Sequence, residues 1–118
     1  MIISGGVNIY PAEIEAAWAV LARDCRTAEA MTEAGEIPTL LQRTAWRRNN
    51  AYAVVLSLRA TDRLYGLAGM RGIQPSSHVQ RCWRDVHAAA SQVAINWDTQ
   101  AINYGRARFG LPFQDPRA

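Results

Sequence analysis

QRCWRDVHAAASQVAINWDTQAINYGRARFGLP, residues 80–112, carries the clearest periodicity in this 118-residue chain. Starting at Val79 and running through Trp83, Val86, Ala90, Val93, Trp97, Ala101 and Tyr104, apolar residues recur at spacings of four and three. That period sets side chains along one face of a helix. Ser77 and Gln80 form a capping-box pattern ahead of the run, and Gly110 and Pro112 mark a stop behind it. The spacing predicts one helix over residues 78–109, about 48 Å long at the usual rise per residue.

Two further helices are expected upstream. Pro11 is suited to the first helical turn, Glu13 and Glu15 favour a helix N-terminus, and Ile14, Trp18, Leu21, Cys25 and Ala28 make an apolar stripe that should end near Gly35. After Pro38 a second periodic segment runs to about Ala68, with Leu41, Ala45, Tyr52, Val55 and Leu58 near one face and Gly66 and Gly69 at its end. Asp62 interrupts that stripe and is expected in an ion pair or at a helix end. Residues 1–10, with Gly5 and Gly6, read as a short extended piece with a glycine turn. The fold class is therefore all-α: an antiparallel bundle of three long helices, an incomplete four-helix bundle, behind a short extended N-terminal segment. A bundle lacking its fourth helix leaves apolar surface to be covered by a homo-oligomeric partner or a larger relative.

Composition narrows the chemistry. Hydrophobic residues make up 49% of the chain, enough for one domain with a core. All thirteen basic residues are arginine, so Schiff-base chemistry, a P-loop lysine and lysine-assisted adenylation are excluded. Residues 1–36 hold six acidic and two basic residues, and the remainder four acidic and eleven basic. An acidic first helix against basic later ones explains this asymmetry without nucleic acid as a partner. No apolar run approaches the length that spans a bilayer, so no membrane partner and a cytoplasmic location are expected. Cys25 and Cys82 lie among apolar neighbours and are expected as buried, reduced thiols. Trp18, Trp46, Trp83 and Trp97 are expected in the core.

Candidate chemistry concentrates on the last helix. Gln80, Arg84, His87 and Ser91 follow at spacings of four, three and four, a polar stripe that fits an anion-binding or proton-handling face and equally a solvated one. Asp85 can pair with Arg81 one turn earlier. His78 and His87 have no cysteine or carboxylate at metal-ligand spacing, so no metal site is expected. Ser91, His87 and Asp85 or Asp98 share one helix and cannot converge as a catalytic triad.

Two resemblances divide the chain. MIISGGVNIYPAEIEA, residues 1–16, resembles the segment just after the hinge in adenylate-forming acyl-CoA synthetases, but without any lysine the ligase chemistry of that group has no support. Residues 17–118 form the second unit. From about residue 17 to 112 it is similar to the C-terminal helical domain of flavin-dependent monooxygenases of the acyl-CoA dehydrogenase fold, carried by RNNAYAVVLSLRATDRLYGLAGMRGI from Arg48 and by the stretch from Gln80. The resemblance implies FMN or FAD as cofactor, an aromatic substrate, and assembly through the helical domains. It also implies that the flavin lies against two preceding domains that are not part of this sequence, so the chain alone should not be catalytic. His87 and Gln92 are the candidate catalytic residues, and Arg81, Arg84 and Ser91 the candidate flavin contacts. Many relatives place a histidine where this chain has Gln92, and glutamine can hydrogen-bond but not donate a proton near neutral pH. The alternative is a helical self-association module without enzymatic activity.

Overall fold

The computed structural model describes residues 2–4, 7–9 and 12–112. Residues 2–4 (β1) and 7–9 (β2) pair as a short antiparallel hairpin, with Ile2 opposite Ile9 and Ser4 opposite Val7. The glycine turn and Pro11 fall outside the described residues. Four α-helices follow: α1 Ala12–Glu33, α2 Leu40–Ala68, α3 His78–Ala90 and α4 Trp97–Arg108. The all-α class stands. α1 runs unbroken across residues 16 and 17.

Helix ends follow local chemistry. α1 closes in a Schellman motif: Glu36 N–H donates to Met31 carbonyl at 2.8 Å and Gly35 N–H to Thr32 at 3.0 Å, with Gly35 at φ +68°. α4 closes the same way, Leu111 N–H donating to Arg106 carbonyl at 2.8 Å around Gly110 at φ +69°. α2 opens with a full capping box. Gln42 N–H donates to Thr39 Oγ1 at 3.2 Å, and Gln42 Oε1 accepts from Thr39 N–H at 2.8 Å. The Ser77 box is only half formed, because Gln80 Nε2 donates to Ile73 carbonyl instead of Gln80 reaching back to the cap.

The single helix expected over residues 78–109 is broken at residues 91–96 by a 3₁₀ turn, Val93–Ile95. The periodicity concealed two local causes. Ser91 Oγ donates to His87 carbonyl and caps α3, and Asn96 Oδ1 accepts from Thr99 N–H at 3.1 Å, starting a new helix. Val93 and Ile95 add β-branched resistance to helix between those caps.

α2 is the hub. Its Asn49, Ala53, Leu56 and Arg63 face α1, where Arg63 pairs with Glu13 at 2.9 Å and Gln42 Nε2 lies 3.6 Å from Met31 Sδ at the far end. Its other side faces the later helices: Tyr52 meets Trp97 at a ring separation of 5.4 Å, and the Arg48 guanidinium stands 4.1 Å over the Tyr104 ring. Farther along, Tyr65 meets Trp83 at 5.2 Å. These pairings set α1, α3 and α4 all antiparallel to α2. α3 covers its C-terminal half and α4 its N-terminal half.

Helices α1, α3 and α4 pack chiefly on α2 and little on one another, so the arrangement is an open layer measuring 49 × 29 × 21 Å. With neighbours on two sides, α2 buries small side chains, Thr44, Ala51, Ala53 and Ala60, along with Leu56. Among the described residues the buried apolar cluster between α1 and α2 is correspondingly small: Ala17, Ala53 and Leu56, with Leu21 against them.

This geometry corrects three expectations. Ala17 and Asp24, not Trp18 and Cys25, are the buried residues of α1, because the α2 surface offers Asn49 to Asp24. Cys25 and Cys82 are free but exposed. None of the four tryptophans is buried, and Trp18 is 74% exposed. The break before α4 also turns Gln100 and Asn103 inward, each 2% exposed, beside the face that carries Ala101 and Tyr104.

Buried Gly72 tests the packing where α2 passes into the next turn. A Cβ there would stand 2.9 Å from the Ala68 methyl, closer than two carbons settle. Gly72→Ala should cost about 1–3 kcal/mol in thermal unfolding, the usual range for overpacking. Gly66, within α2 and with no atom inside 4 Å of where a Cβ would stand, supplies the control. Gly66→Ala should gain about 0.5–1 kcal/mol from helix propensity.

Candidate functional site

The polar stripe of α3 meets α2 at Asp62. Trp83 Nε1–H donates to Asp62 Oδ1 at 2.9 Å, and His87 Nε2 lies 3.4 Å from the same oxygen. His87 Nδ1 stands 2.9 Å from Trp83 carbonyl, and its ring stacks on the Trp83 indole at 4.2 Å between centroids. Tyr65 backs the indole on the α2 side. Asp62, expected in an ion pair or at a helix end, instead lies within α2, where it accepts from the Trp83 indole and faces the His87 ring. The His87 side chain remains 37% exposed, so the cluster is open on one side.

The other candidates are distributed around this cluster. Arg81 is exposed and pairs with Asp85 at 3.9 Å, as the spacing indicated. Arg84 is exposed with no carboxylate within 4.0 Å among the described residues. Ser91 donates its hydroxyl to the His87 carbonyl at 3.1 Å, and exposed Gln92 caps the 3₁₀ turn that follows. His87 and Ser91 are therefore linked through the backbone. Nothing brings Arg81, Arg84 and Gln92 to a common point.

These residues lie along the outer side of α3 and the turn that follows it, most of them exposed. One open cleft, of about 160 Å³, lies elsewhere and is lined by Leu21, Asp24, Cys25, Ala28, Trp46 and Asn50. Among the described residues no group of three or more His, Cys, Asp or Glu could hold a metal ion, and no helix is long and apolar enough to cross a membrane.

Asp62 carries little weight in the sequence because its partners, Trp83 and His87, are over twenty residues away. The polar contact between α1 and α2 escapes sequence reasoning altogether. There Asp24, 8% exposed, accepts from Asn49 Nδ2 at 2.8 Å and from Arg23 at 3.0 Å. The only available signal was a charged residue inside the α1 apolar pattern, with Asn49 in register once the helices are paired.

Comparison with known proteins places this architecture. Residues 7–97 match the family described as acyl-CoA dehydrogenase, C-terminal domain. The oxygenase component of the FADH(2)-dependent resorcinol hydroxylase from Rhizobium sp. (strain MTP-10005) is 34% identical over 104 residues, covering 85% of this chain and 25% of that protein. HsaA, the oxygenase subunit of a flavin-dependent monooxygenase from Rhodococcus jostii (strain RHA1), is 30% identical, covering 87% of this chain and 27% of that one. The crystal structure of the HsaA monooxygenase from M. tuberculosis superposes with a TM-score of 0.78 at 29% identity over 87% of this chain and 27% of that one. The 3-HSA hydroxylase from Rhodococcus sp. RHA1 gives 0.80 at 30% identity, over 88% of this chain and 27% of that one. The chain spans about a quarter of the length of the relatives it matches. What it matches in them is the C-terminal helical domain of flavin-dependent oxygenase components, and the chain belongs to the acyl-CoA dehydrogenase C-terminal domain family.

Proposed function

We propose that this chain acts as the helical assembly domain of a cytoplasmic, reduced-flavin-dependent aromatic hydroxylase, contributing one wall of the flavin site and no catalysis by itself. The carrying observation is coverage: 88% of the chain superposes at a TM-score of 0.80 on a hydroxylase of which it accounts for only 27%. The open layer supports this reading. Trp18, Ile37, Met70 and Phe109 stand more than 70% exposed, more large apolar surface than a free helical domain normally leaves in water.

In the complete site a reduced flavin would supply the oxygen-activating chemistry. From this chain, Arg81 and Arg84 would offer guanidinium donors to an anionic group, and Ser91 a hydroxyl beside the His87 backbone. His87 would hold or pass a proton at Nε2, the nitrogen that faces Asp62. Gln92 would contribute hydrogen bonds only. FMN and FAD both suit these donors, and titration of each distinguishes them.

Co-expression provides the test. A relative truncated before its own helical domain should be inactive alone, and should recover flavin- and oxygen-dependent hydroxylation of a phenol when this chain is supplied. If the chain neither binds the truncated partner nor restores turnover, the proposal fails. It also fails in its claim of incompleteness if the chain alone turns over a phenol with reduced flavin.

A second reading, a helical self-association module without enzymatic activity, rests on the same exposed apolar residues. It predicts an oligomer by light scattering together with no response to either flavin. The adenylate-forming resemblance of residues 1–16, as a unit distinct from 17–118, is a separate proposal, and adenylate formation from ATP and an acid is its assay.

A further inference from the structure

α3 buries none of its residues fully, yet its place on α2 is well defined. Part of what defines it is a single carboxylate oxygen. Asp62 Oδ1 accepts the Trp83 indole N–H at 2.9 Å and faces His87 Nε2 at 3.4 Å, so one α2 side chain engages α3 at two positions a helical turn apart. The His87 ring is thereby constrained in three ways. Asp62 Oδ1 lies 3.4 Å from Nε2, the Trp83 carbonyl stands 2.9 Å from Nδ1, and the indole lies against its face with planes 31° apart. Trp83 is in turn held between the His87 and Tyr65 rings. Each imidazole nitrogen thus faces an oxygen.

We infer that Asp62 is a positioning residue for His87, fixing the imidazole so that its exposed side is presented in one orientation, with Trp83 as the brace. Its importance for turnover rests on the reading of His87 as a proton-handling wall residue. The orientation itself does not. A carboxylate that orients an imidazole through one nitrogen while the other is engaged elsewhere is a recurring way to define which nitrogen carries a proton. A plain tether between helices would need only the indole bond, and an amide at position 62 would serve that equally well. Asp62→Asn therefore separates the two roles, since its carbonyl oxygen can still accept from Trp83 while the anion facing His87 is gone.

Side-chain nitrogen NMR on the intact chain reads the difference, with His78 at the exposed start of α3 as internal reference. In the wild-type chain the His87 Nε2–H signal should be protected from exchange relative to His78. In Asp62→Asn that protection should fall, because the amide oxygen is an uncharged and weaker acceptor, while the Trp83 Nε1–H signal and the helical circular dichroism persist. Asp62→Glu, which keeps the carboxylate, should restore part of it. Equal His87 signals in wild type and Asp62→Asn, or a wild-type His87 that exchanges like His78, would overturn the inference. If protection is reduced as expected but His87→Asn reconstitutes hydroxylation as well as the wild type in the co-expression assay, positioning by Asp62 stands and the flavin-wall reading of His87 falls.

Discussion

Leu56→Ala is expected to destabilise the chain by about 2–4 kcal/mol, the usual cost of removing a buried leucine and leaving a cavity behind. Leu56 is the largest side chain in the buried apolar cluster, where its companions are Ala17 and Ala53. Few neighbours can move in to fill the space, because α1 and α2 meet there through small residues. Against a total stability of about 5–15 kcal/mol for an ordinary domain, such a loss is a large fraction. Chemical denaturation monitored by circular dichroism should show a lower midpoint with little change in slope. Leu56→Met, which nearly conserves volume, should cost less than about 1.5 kcal/mol. Equal effects from the two variants would mean that cavity formation is not the cause.

The second large effect is expected at the polar contact between α1 and α2. Asp24 is 8% exposed, and its Oδ2 accepts from Asn49 Nδ2 at 2.8 Å, while Oδ1 is held by Arg23, whose own side chain is largely in water. Asn49→Leu removes the cross-helix donor and leaves a buried carboxylate oxygen without a partner, which should cost about 2–3 kcal/mol. Asp24→Asn in the Asn49→Leu background should recover part of that loss by removing the buried charge. A double-mutant cycle between the two positions measures the coupling, and a coupling near zero would show that the contact contributes nothing.

These effects also show how far the sequence could be read. α1 and α2 ended where Gly35 and Gly69 indicated, and α4 where Gly110 did, because positive φ is a local property that glycine meets without strain. The assignment to a helical oxygenase domain was likewise present in the residues from Arg48 and from Gln80. The face of each helix was less legible. Of the expected α1 stripe, Leu21 does pack against the core, but Trp18 and Cys25 are exposed and the neighbouring Ala17 and Asp24 are buried in their place. Only the donors and small residues on α2 select Ala17 and Asp24, and those lie on another helix.

The break at residues 91–96 has the same origin. Asn96 with Thr99 is an N-cap signal, but a heptad running through it reads equally well as one helix, and hydrophobic period carries no information about a register change within it. For the candidate site, spacing along α3 singled out Gln80, Arg84, His87 and Ser91 as one stripe. It had no means of finding Asp62 beside His87 and Trp83, because a contact across more than twenty residues depends on how two helices are rotated against each other.

What the sequence by itself determined is therefore local and inherited: helical class, most helix ends, the absence of lysine chemistry, and membership of a family recognisable from its motifs. Only the tertiary structure decided which stripe is buried, where the third helix breaks, that α2 is central, and that Asp62, Trp83 and His87 meet. Backbone caps and turns act over a few residues, whereas rotation, register and cross-helix hydrogen bonds are set by surfaces that exist only after the helices have paired.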